Sequence, residues 1–167
     1  MSFESINELD KFTFDDCQIT GVEIRDDSLI FTMEALIVGA KNSQNTNYTE
    51  SYADTTTLIL RGMKIDEFME EGYKLYDAQD KLIDEIDDKV IEEKDYKATL
   101  KALVDGYMFN AECMKMGEGG YTYSFEIDMS AINEDGLVDP YSTTYQLIVT
   151  FEESRVTWER YLNRVQK

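Results

Sequence analysis

The chain has 167 residues, of which 43% are hydrophobic, so it can bury the core of one ordinary domain and its composition argues against intrinsic disorder. It carries 35 acidic and 16 basic side chains, a formal net charge of −19. This charge opposes binding to nucleic-acid phosphate or to anionic lipid. We therefore expect neither a nucleic acid nor a membrane as partner, and any charged partner protein is predicted to be basic.

The compartment is predicted from what the sequence lacks. Residues 1–5 show no cationic segment followed by an apolar run, so no signal peptide is expected, and no apolar stretch approaches the roughly 18 residues of a membrane helix. Cys17 and Cys113 are too few for a disulfide framework or a closed zinc site. Both fall in alternating segments, which predicts buried, inert thiols. These features favour the cytosol.

In the first part of the chain, apolar and polar residues alternate in the manner of strands. Residues 17–25 and 28–38 are predicted to form a β-hairpin, with the intervening pair of aspartates as its turn. One face of the second strand is apolar: Leu29, Phe31, Met33, Ala35 and Ile37. A polar loop is expected over 41–47, and strand character resumes over 55–63.

The segment 66–97 carries 13 acidic and 5 basic side chains, a net charge of −8, and has two interpretations. A helix would align four apolar residues: Leu82, Ile83, Ile86 and Val90. Alternatively, 73–76 and 82–86 are the arms of a hairpin that turns at 77–80. We favour the hairpin, because Gly72 and the aspartates of 77–80 are residues typical of turns.

One helix is predicted over 93–104. Tyr96, Leu100 and Leu103 share a face, Asp95 suits the positive N-terminal end, and Gly106 occupies the position of a C-terminal glycine.

Strands dominate again after this helix. Residues 107–116 and 121–129 are predicted strands joined by a glycine-rich turn, and 145–151 alternates as well. From Ser154 onward, three apolar residues have helical spacing and indicate a possible C-terminal helix, although this tail could also start as a strand: Trp158, Leu162 and Val165.

A short similarity between two parts of the sequence suggests an internal repeat. The pattern Tyr52-x-x-Thr55-x-x-Leu58-Ile59-Leu60 matches Tyr141-x-x-Thr144-x-x-Leu147-Ile148-Val149. It predicts two similar β-units, 12–65 and 107–160, around an acidic insert, 66–106, within a single domain, 1–167. Chance similarity between amphipathic strands is the alternative. The expected fold is mainly β, an antiparallel sandwich or curled sheet, with a β-rich α+β fold also possible.

No group of residues matches a known catalytic or cofactor-binding pattern. Histidine is absent, which removes Ser-His-Asp and Cys-His catalysis and His-ligated metals. No carboxylate pair stands out among so many. The nearest calcium-loop pattern, 133–136, fails because Ala131 and Ser142 occupy ligand positions, and the glycines of 117–120 lack the lysine and helix of a phosphate-binding loop. No catalytic residue, metal or cofactor is therefore predicted, although Asp84, Asp87 and Asp88 could form a looser calcium site.

Candidate protein-binding residues come from three places. The acidic segment contributes Asp84, Asp87 and Asp88, and tyrosines in or beside polar loops contribute Tyr52 and Tyr141. The C-terminal tail contributes Trp158 and Arg160. This tail also holds Arg155 and Arg164, so an acidic body has a basic end. The arginines are expected to pair with the acidic insert or to dock a second copy or an acidic partner.

The leading hypothesis is a small, acidic, cytosolic protein-binding or adaptor domain without enzymatic activity. The chain resembles immunity proteins, which neutralise secreted nucleases, in size and charge but in no motif. Inhibition of a basic partner is thus one form of the hypothesis. The alternatives are a carboxylate-based hydrolase acting on a sugar or using a divalent metal, and a structural or assembly subunit, for which a homo-oligomer is possible.

Overall fold

Strands dominate the computed structural model, which describes residues 2–129 and 143–165. There is one α-helix, α1 (Tyr96–Ala102), and two 3-10 helices, Leu9–Lys11 and Glu93–Asp95, among these residues. The strands, numbered in chain order, are β1 Phe3–Ile6, β2 Phe12–Thr13, β3 Cys17–Arg25, β4 Ser28–Glu34, β5 Ile37–Val38, β6 Ser51–Ala53, β7 Thr56–Arg61, β8 Lys64–Glu70, β9 Tyr73–Tyr76, β10 Leu82–Ile86, β11 Lys89–Val90, β12 Tyr107–Gly117, β13 Gly120–Met129, β14 Thr143–Phe151, β15 Glu153–Trp158 and β16 Tyr161–Arg164. The predicted β-rich antiparallel fold is confirmed. In the described ranges, no helix has the length and apolar character needed to cross a bilayer.

Ten strands form one antiparallel sheet in the order β1-β15-β7-β4-β3-β12-β13-β14-β8-β11. β7 and β8 stand six positions apart in this order, about 28 Å across a flat sheet, yet Gly62 and Met63 alone connect them. In the same way, Glu152 alone connects β14 to β15, which are also six positions apart. Chain segments this short cannot bridge such a distance. The sheet therefore curls until its two halves face each other.

The core lies between these two halves. Burial alternates along β4 and β7, so every second side chain points inward. The rings of Phe31 on β4 and Phe125 on β13 lie 6.4 Å apart, although two strands separate β4 from β13 in the sheet. One continuous cluster of buried side chains runs from Leu9 to Trp158 and includes residues of both predicted β-units.

A small sheet, β16-β6-β5-β2, packs beside the large one through an aromatic cluster. Trp158 is 2% exposed, stacks on Phe3 at 5.5 Å and meets Phe12 edge-on at 5.8 Å. The possible C-terminal helix is wrong for the described residues, where β15 and β16 occupy this region. β15 pairs with β1 on one side and with β7 on the other, so this segment is a strand, and its burial accordingly has a period of two.

Two local predictions need correction. The predicted strand 28–38 breaks at Ala35, an exposed residue with φ of +65°, because the chain leaves the large sheet after β4 and joins the small one as β5. The helix over 93–104 is confirmed, but its left-handed residue is Asp105, with φ of +77°, rather than Gly106. A Cβ at Gly106 would lie 2.3 Å from the Met129 sulfur, so close packing explains this glycine.

The polar loop after β5 is held by hydrogen bonds and packs on β1. The Asn42 side chain, 3% exposed, donates to Ser5 Oγ at 3.2 Å, and the Ser43 N–H donates to Glu8 Oε2 at 3.1 Å. Asn45 Nδ2 donates to three backbone carbonyls. Burial raises the pKa of Glu8, but hydrogen bonds from Ser43 and Ser5 outweigh this effect and the net pKa is lowered.

The strand order contains a symmetry that bears on the predicted repeat. Reading outward from the centre, β3, β4 and β7 lie on one side, and β12, β13 and β14 lie on the other. The strand that follows β7 adds to the edge of β14, and the strand that follows β14 adds to the edge of β7. The duplication itself stays a prediction.

Candidate functional site

Residues 71–90, which we call the acidic hairpin, extend beyond the large sheet. β9 and β10 pair with each other as a separate two-stranded sheet, while β11 returns to pair with β8. The hairpin interpretation of this segment is therefore correct, and the helical one is wrong. Local interactions favour the hairpin: Asp77 organises the turn at one end, and Gly72 allows the two strands to approach closely at the other.

Asp77 organises the turn. Its Oδ1 accepts hydrogen bonds from the N–H groups of Gln79 at 2.8 Å and Lys81 at 3.0 Å, and its own N–H donates to the Lys81 carbonyl at 2.9 Å. Asp80 takes a left-handed conformation with φ of +61°, which aspartate tolerates better than most residues. The turn is therefore built from its own side chains.

Gly72 sets the geometry at the base. Its N–H donates to Asp88 Oδ1 at 2.7 Å, which ties the two strands together where they leave the large sheet. A Cβ at this position would lie 1.9 Å from the Ile86 carbonyl oxygen, a distance that no side chain could tolerate. Glycine is therefore required for the two strands to approach so closely.

The acidic hairpin exposes an unusual number of apolar side chains. Of the eleven large hydrophobic residues exposed in the described chain, five belong to it: Tyr76, Leu82, Ile83, Ile86 and Val90. Each is 45–64% exposed. Single exposed apolar residues are ordinary, but a concentration of them on one element is typical of an interaction surface.

The same element is negatively charged. It holds seven acidic residues and three lysines, a net charge of −4. Lys74 Nζ lies 3.7 Å from Glu85 Oε1 in an exposed ion pair of small energetic value. At the base, burial raises the pKa of Glu71, and the nearby charges of Glu126 and Asp88 raise it further. Negative charge is thus crowded enough at the base to perturb a carboxyl group.

Three of the predicted site residues lie on the acidic hairpin. Asp84, Asp87 and Asp88 are all exposed on the acidic hairpin. Asp88 Oδ1 holds Gly72, and Asp84 Oδ1 accepts the Glu85 N–H at 2.9 Å. Within residues 2–129 and 143–165, no group of three or more Cys, Asp or Glu side chains is arranged to hold a metal ion.

The other predicted site residues lie elsewhere. Tyr52 is half-buried on β6 of the small sheet, and Tyr141 lies outside the described residues. Trp158 is buried in the aromatic cluster, which removes it from the predicted contact surface; alternation on β15 turns its side chain inward. Arg160 is exposed, and its Nε lies 3.7 Å from Asp54 Oδ2.

The arginines of the tail pair with acids other than those of the insert. Arg155 contacts Glu153 at 3.1 Å and Glu4 at 3.7 Å, on its own strand and the neighbouring one. The side chain of Arg164 lies outside the described part of the chain. The expected pairing with the acidic insert is therefore wrong for Arg155 and Arg160, because β15 lies next to β1 and β7 rather than beside the hairpin.

The two cysteines differ. Cys17 is buried, and burial raises the pKa of its thiol to about 12, so it is the inert core thiol that was predicted. Cys113 is exposed, which corrects the prediction for this residue. β3 pairs with β12 only at Tyr107 and Met108, so the distal half of β12 is uncovered on that side.

Two clefts lie beside strands of the large sheet. One of about 530 Å³ lies between β11 and α1 at the base of the acidic hairpin, with Val90 and Tyr145 in its lining. Another, of about 380 Å³, is lined by Asp16, Tyr107, Phe109 and Asp128. Asp128 Oδ1 is buried and lacks a hydrogen-bond partner among the described residues.

Sequence reasoning missed the exposed apolar residues of the hairpin. Leu82, Ile83 and Ile86 were interpreted only as residues that form a strand or a helix. The sequence did offer a signal of their exposure, because Leu82 and Ile83 are adjacent and cannot both point to the same face of a regular strand. Comparison with known proteins adds no assignment: no protein-family model matches the chain, and no curated protein or solved structure matches it either.

Proposed function

We propose that this chain is a non-enzymatic protein-binding domain and that its acidic hairpin docks a basic partner protein. The observation that carries the proposal is the combination of exposed apolar side chains and net negative charge on one projecting element. Apolar area supplies affinity when it is buried, and charge supplies steering and selectivity. An anionic partner would be repelled by a chain of net charge −19.

The preformed shape of the hairpin supports the proposal. Asp77 holds the turn and Gly72 with Asp88 holds the base, so the element need not become ordered when it binds. Binding by an ordered element avoids part of the entropy cost of association. Leu82, Ile83 and Ile86 contribute little to the core, so their exposure is better explained by a partner than by folding.

The proposed compartment is the cytosol, and one proposed form of the function is inhibition of a basic enzyme. Cys17 and Cys113 are both free, as is usual in reducing compartments. The carboxylates of the hairpin would meet a cationic cleft in the way that nucleic-acid phosphates do. A nuclease with such a cleft is the kind of enzyme that this form of the proposal requires.

The test is an affinity capture from the extract of the source organism. The wild-type chain is compared with a Leu82→Ser/Ile83→Ser/Ile86→Ser variant, and with Met116→Ser, which changes an exposed methionine on another hairpin, as the control. We expect a basic protein that wild type and control retain, that the triple variant loses, and that raised salt releases. Retention of the same proteins by all three chains would contradict the proposal.

One observation favours a second candidate, a carboxylate-based hydrolase acting on a sugar. The cleft of Asp16, Tyr107, Phe109 and Asp128 combines two carboxylates with two aromatic rings, a composition that suits a sugar ring. If this candidate is correct, hydrolysis of a panel of glycosides is expected from the wild type and is lost in Asp128→Asn. An inactive wild-type chain, or equal activity in the variant, would exclude it.

A further inference from the structure

The acidic hairpin continues an unpaired edge of the large sheet. β11 is the last strand in the sheet order, and β10, two residues before it, pairs with β9 alone among the described strands. Residues 82–90 therefore present an edge on which backbone N–H and C=O groups have no strand partner within the described chain. Such an edge is a template for another strand, and proteins usually protect it.

At the opposite end of the sheet, other parts of the chain pack on side chains of the terminal strand. β1 is the other terminal strand, and the polar loop lies against it, with buried Asn42 donating to Ser5 Oγ. Phe3 of β1 is stacked on Trp158. Among the residues that the structure describes, no such loop or ring covers 82–86, all of which are exposed. We call the end at β1, where side chains of the loop and Trp158 pack on the strand, the closed end, and the end at β10 and β11 the open end.

The side chains of the open edge define what could pair with it. Leu82, Ile83, Ile86 and Val90 would be covered by apolar residues of an added strand, while Asp84 and Glu85 would face oppositely charged neighbours across it. A second copy of this chain would bring two acidic edges together, which like-charge repulsion opposes. Asp84 and Glu85 are adjacent and therefore lie on opposite faces of β10. An extended segment in which pairs of apolar residues alternate with pairs of lysines or arginines meets both requirements.

We propose that the basic partner binds by strand addition, placing an extended segment of paired apolar and paired cationic residues along the edge of β10 and β11. This inference rests on the proposed function and specifies how the acidic hairpin performs it. Main-chain hydrogen bonds supply affinity in this mode of recognition, and the side chains supply selectivity. The cleft of about 530 Å³ beside Val90 receives the end of the added strand that lies over β11.

The experiment uses the whole chain, labelled with nitrogen-15, and three short capped peptides. The first repeats two valines followed by two lysines. The second has the same sequence but is N-methylated along both strand edges, and the third has the same composition with all lysines in one block. Amide shifts locate the binding site and titration gives the affinity. Strand addition predicts that the first peptide shifts the amides of 82–90 and binds at least about tenfold more tightly than the other two.

Two other results overturn the inference, and they separate its failure from that of the proposed function. If all three peptides perturb the acidic hairpin with similar affinity, contact is through charge alone; strand addition is then wrong and the proposed function stands. If no peptide perturbs residues 71–90, both are wrong. An edge-blocked variant, Ile83→Lys/Ile86→Lys, should lose the first peptide, whereas Met114→Lys/Met116→Lys, which adds the same charge at two other exposed residues, should keep it.

Discussion

The two ends of the ten-stranded sheet differ in how far the rest of the chain packs on the side chains of the terminal strand. At the closed end, β1 is flanked by the polar loop, and the rings of Phe3 and Trp158 lie together. At the open end, β11 continues into a hairpin of which the strand β10 is wholly exposed. Since proteins usually protect an edge strand against aggregation, the exposed apolar edge at the open end requires an explanation, and a partner strand is the one we propose.

The difference also separates stability from function. At the closed end Trp158 belongs to the buried core cluster and Phe3 packs against it, whereas the apolar side chains of β10 on the acidic hairpin are exposed. Changes at the closed end should therefore affect folding, while changes at the open end should affect binding. The following predictions test this separation, from the largest expected effect to the smallest.

The largest effect is expected from Trp158→Ala. Trp158 is 2% exposed, so its truncation should cost about 3–5 kcal/mol of unfolding free energy through lost burial and a cavity. Ile83→Ala at the open end, where the side chain is 63% exposed, should change it by less than about 0.5 kcal/mol. Urea denaturation measures both. Comparable losses would mean that the hairpin is part of the folded core.

A second, more local effect is expected from Gly72→Ala. The new Cβ would lie 1.9 Å from the Ile86 carbonyl oxygen, so the base of the acidic hairpin must open, at a cost of about 1–3 kcal/mol. Amide hydrogen exchange over 73–86 should accelerate while β4 and β13 stay protected. Gly117→Ala is the control, because nothing lies within 4 Å of its added Cβ. Unchanged amide exchange in Gly72→Ala would contradict the close approach of the two strands at Gly72.

The third prediction concerns the closed end and pH. The pKa of Glu8 is lowered, so its contribution is present above the ordinary carboxyl pKa and is lost as pH falls through the lowered folded-state value. Glu8→Gln should cost about 1 kcal/mol near neutral pH. The difference from wild type should shrink in acid, as measured by denaturation at several pH values. A difference that does not depend on pH would show that ionised Glu8 is not what holds the loop.

The smallest effect, with the opposite sign, is expected at the open end. The pKa of Glu71 is raised by burial and by neighbouring acids, so its ionisation weakens the fold as pH rises through the folded-state value. Glu71 is exposed, so solvent screening keeps the gain from Glu71→Gln to a few tenths of a kcal/mol, about the size of a surface ion pair. The gain should be present at neutral pH and absent in acid. Glu118→Gln, at another hairpin turn, controls for net charge.

The fold was partly readable from the sequence because hairpins are local. Alternation and turn residues were sufficient for β3 with β4, for β9 with β10 and for β12 with β13. The pairing of β8 with β14 and of β15 with β7 could not be predicted from the sequence, because nothing near Gly62 or Glu152 specifies a distant neighbour. The tail was ambiguous for a related reason: Trp158, Leu162 and Val165 fit helical spacing, yet pairing with β7 makes the segment a strand.

The candidate site was readable only in its charge. Asp84, Asp87 and Asp88 were identified from the acidity of their segment, and all three lie on the hairpin. The exposure of Leu82, Ile83 and Ile86 depends on whether another layer covers them, which no local pattern reveals. Trp158 illustrates the converse, because an aromatic residue beside arginines suggested a contact surface, and the fold buried it.

The most direct test of the central claim is amide hydrogen exchange of the whole chain, alone and in complex with the basic protein recovered by affinity capture. The open-edge account predicts new protection concentrated in residues 82–90, with the polar loop and β1 unchanged. Protection over the polar loop around the exposed Tyr48, with none at 82–90, would contradict it and place binding at the closed end.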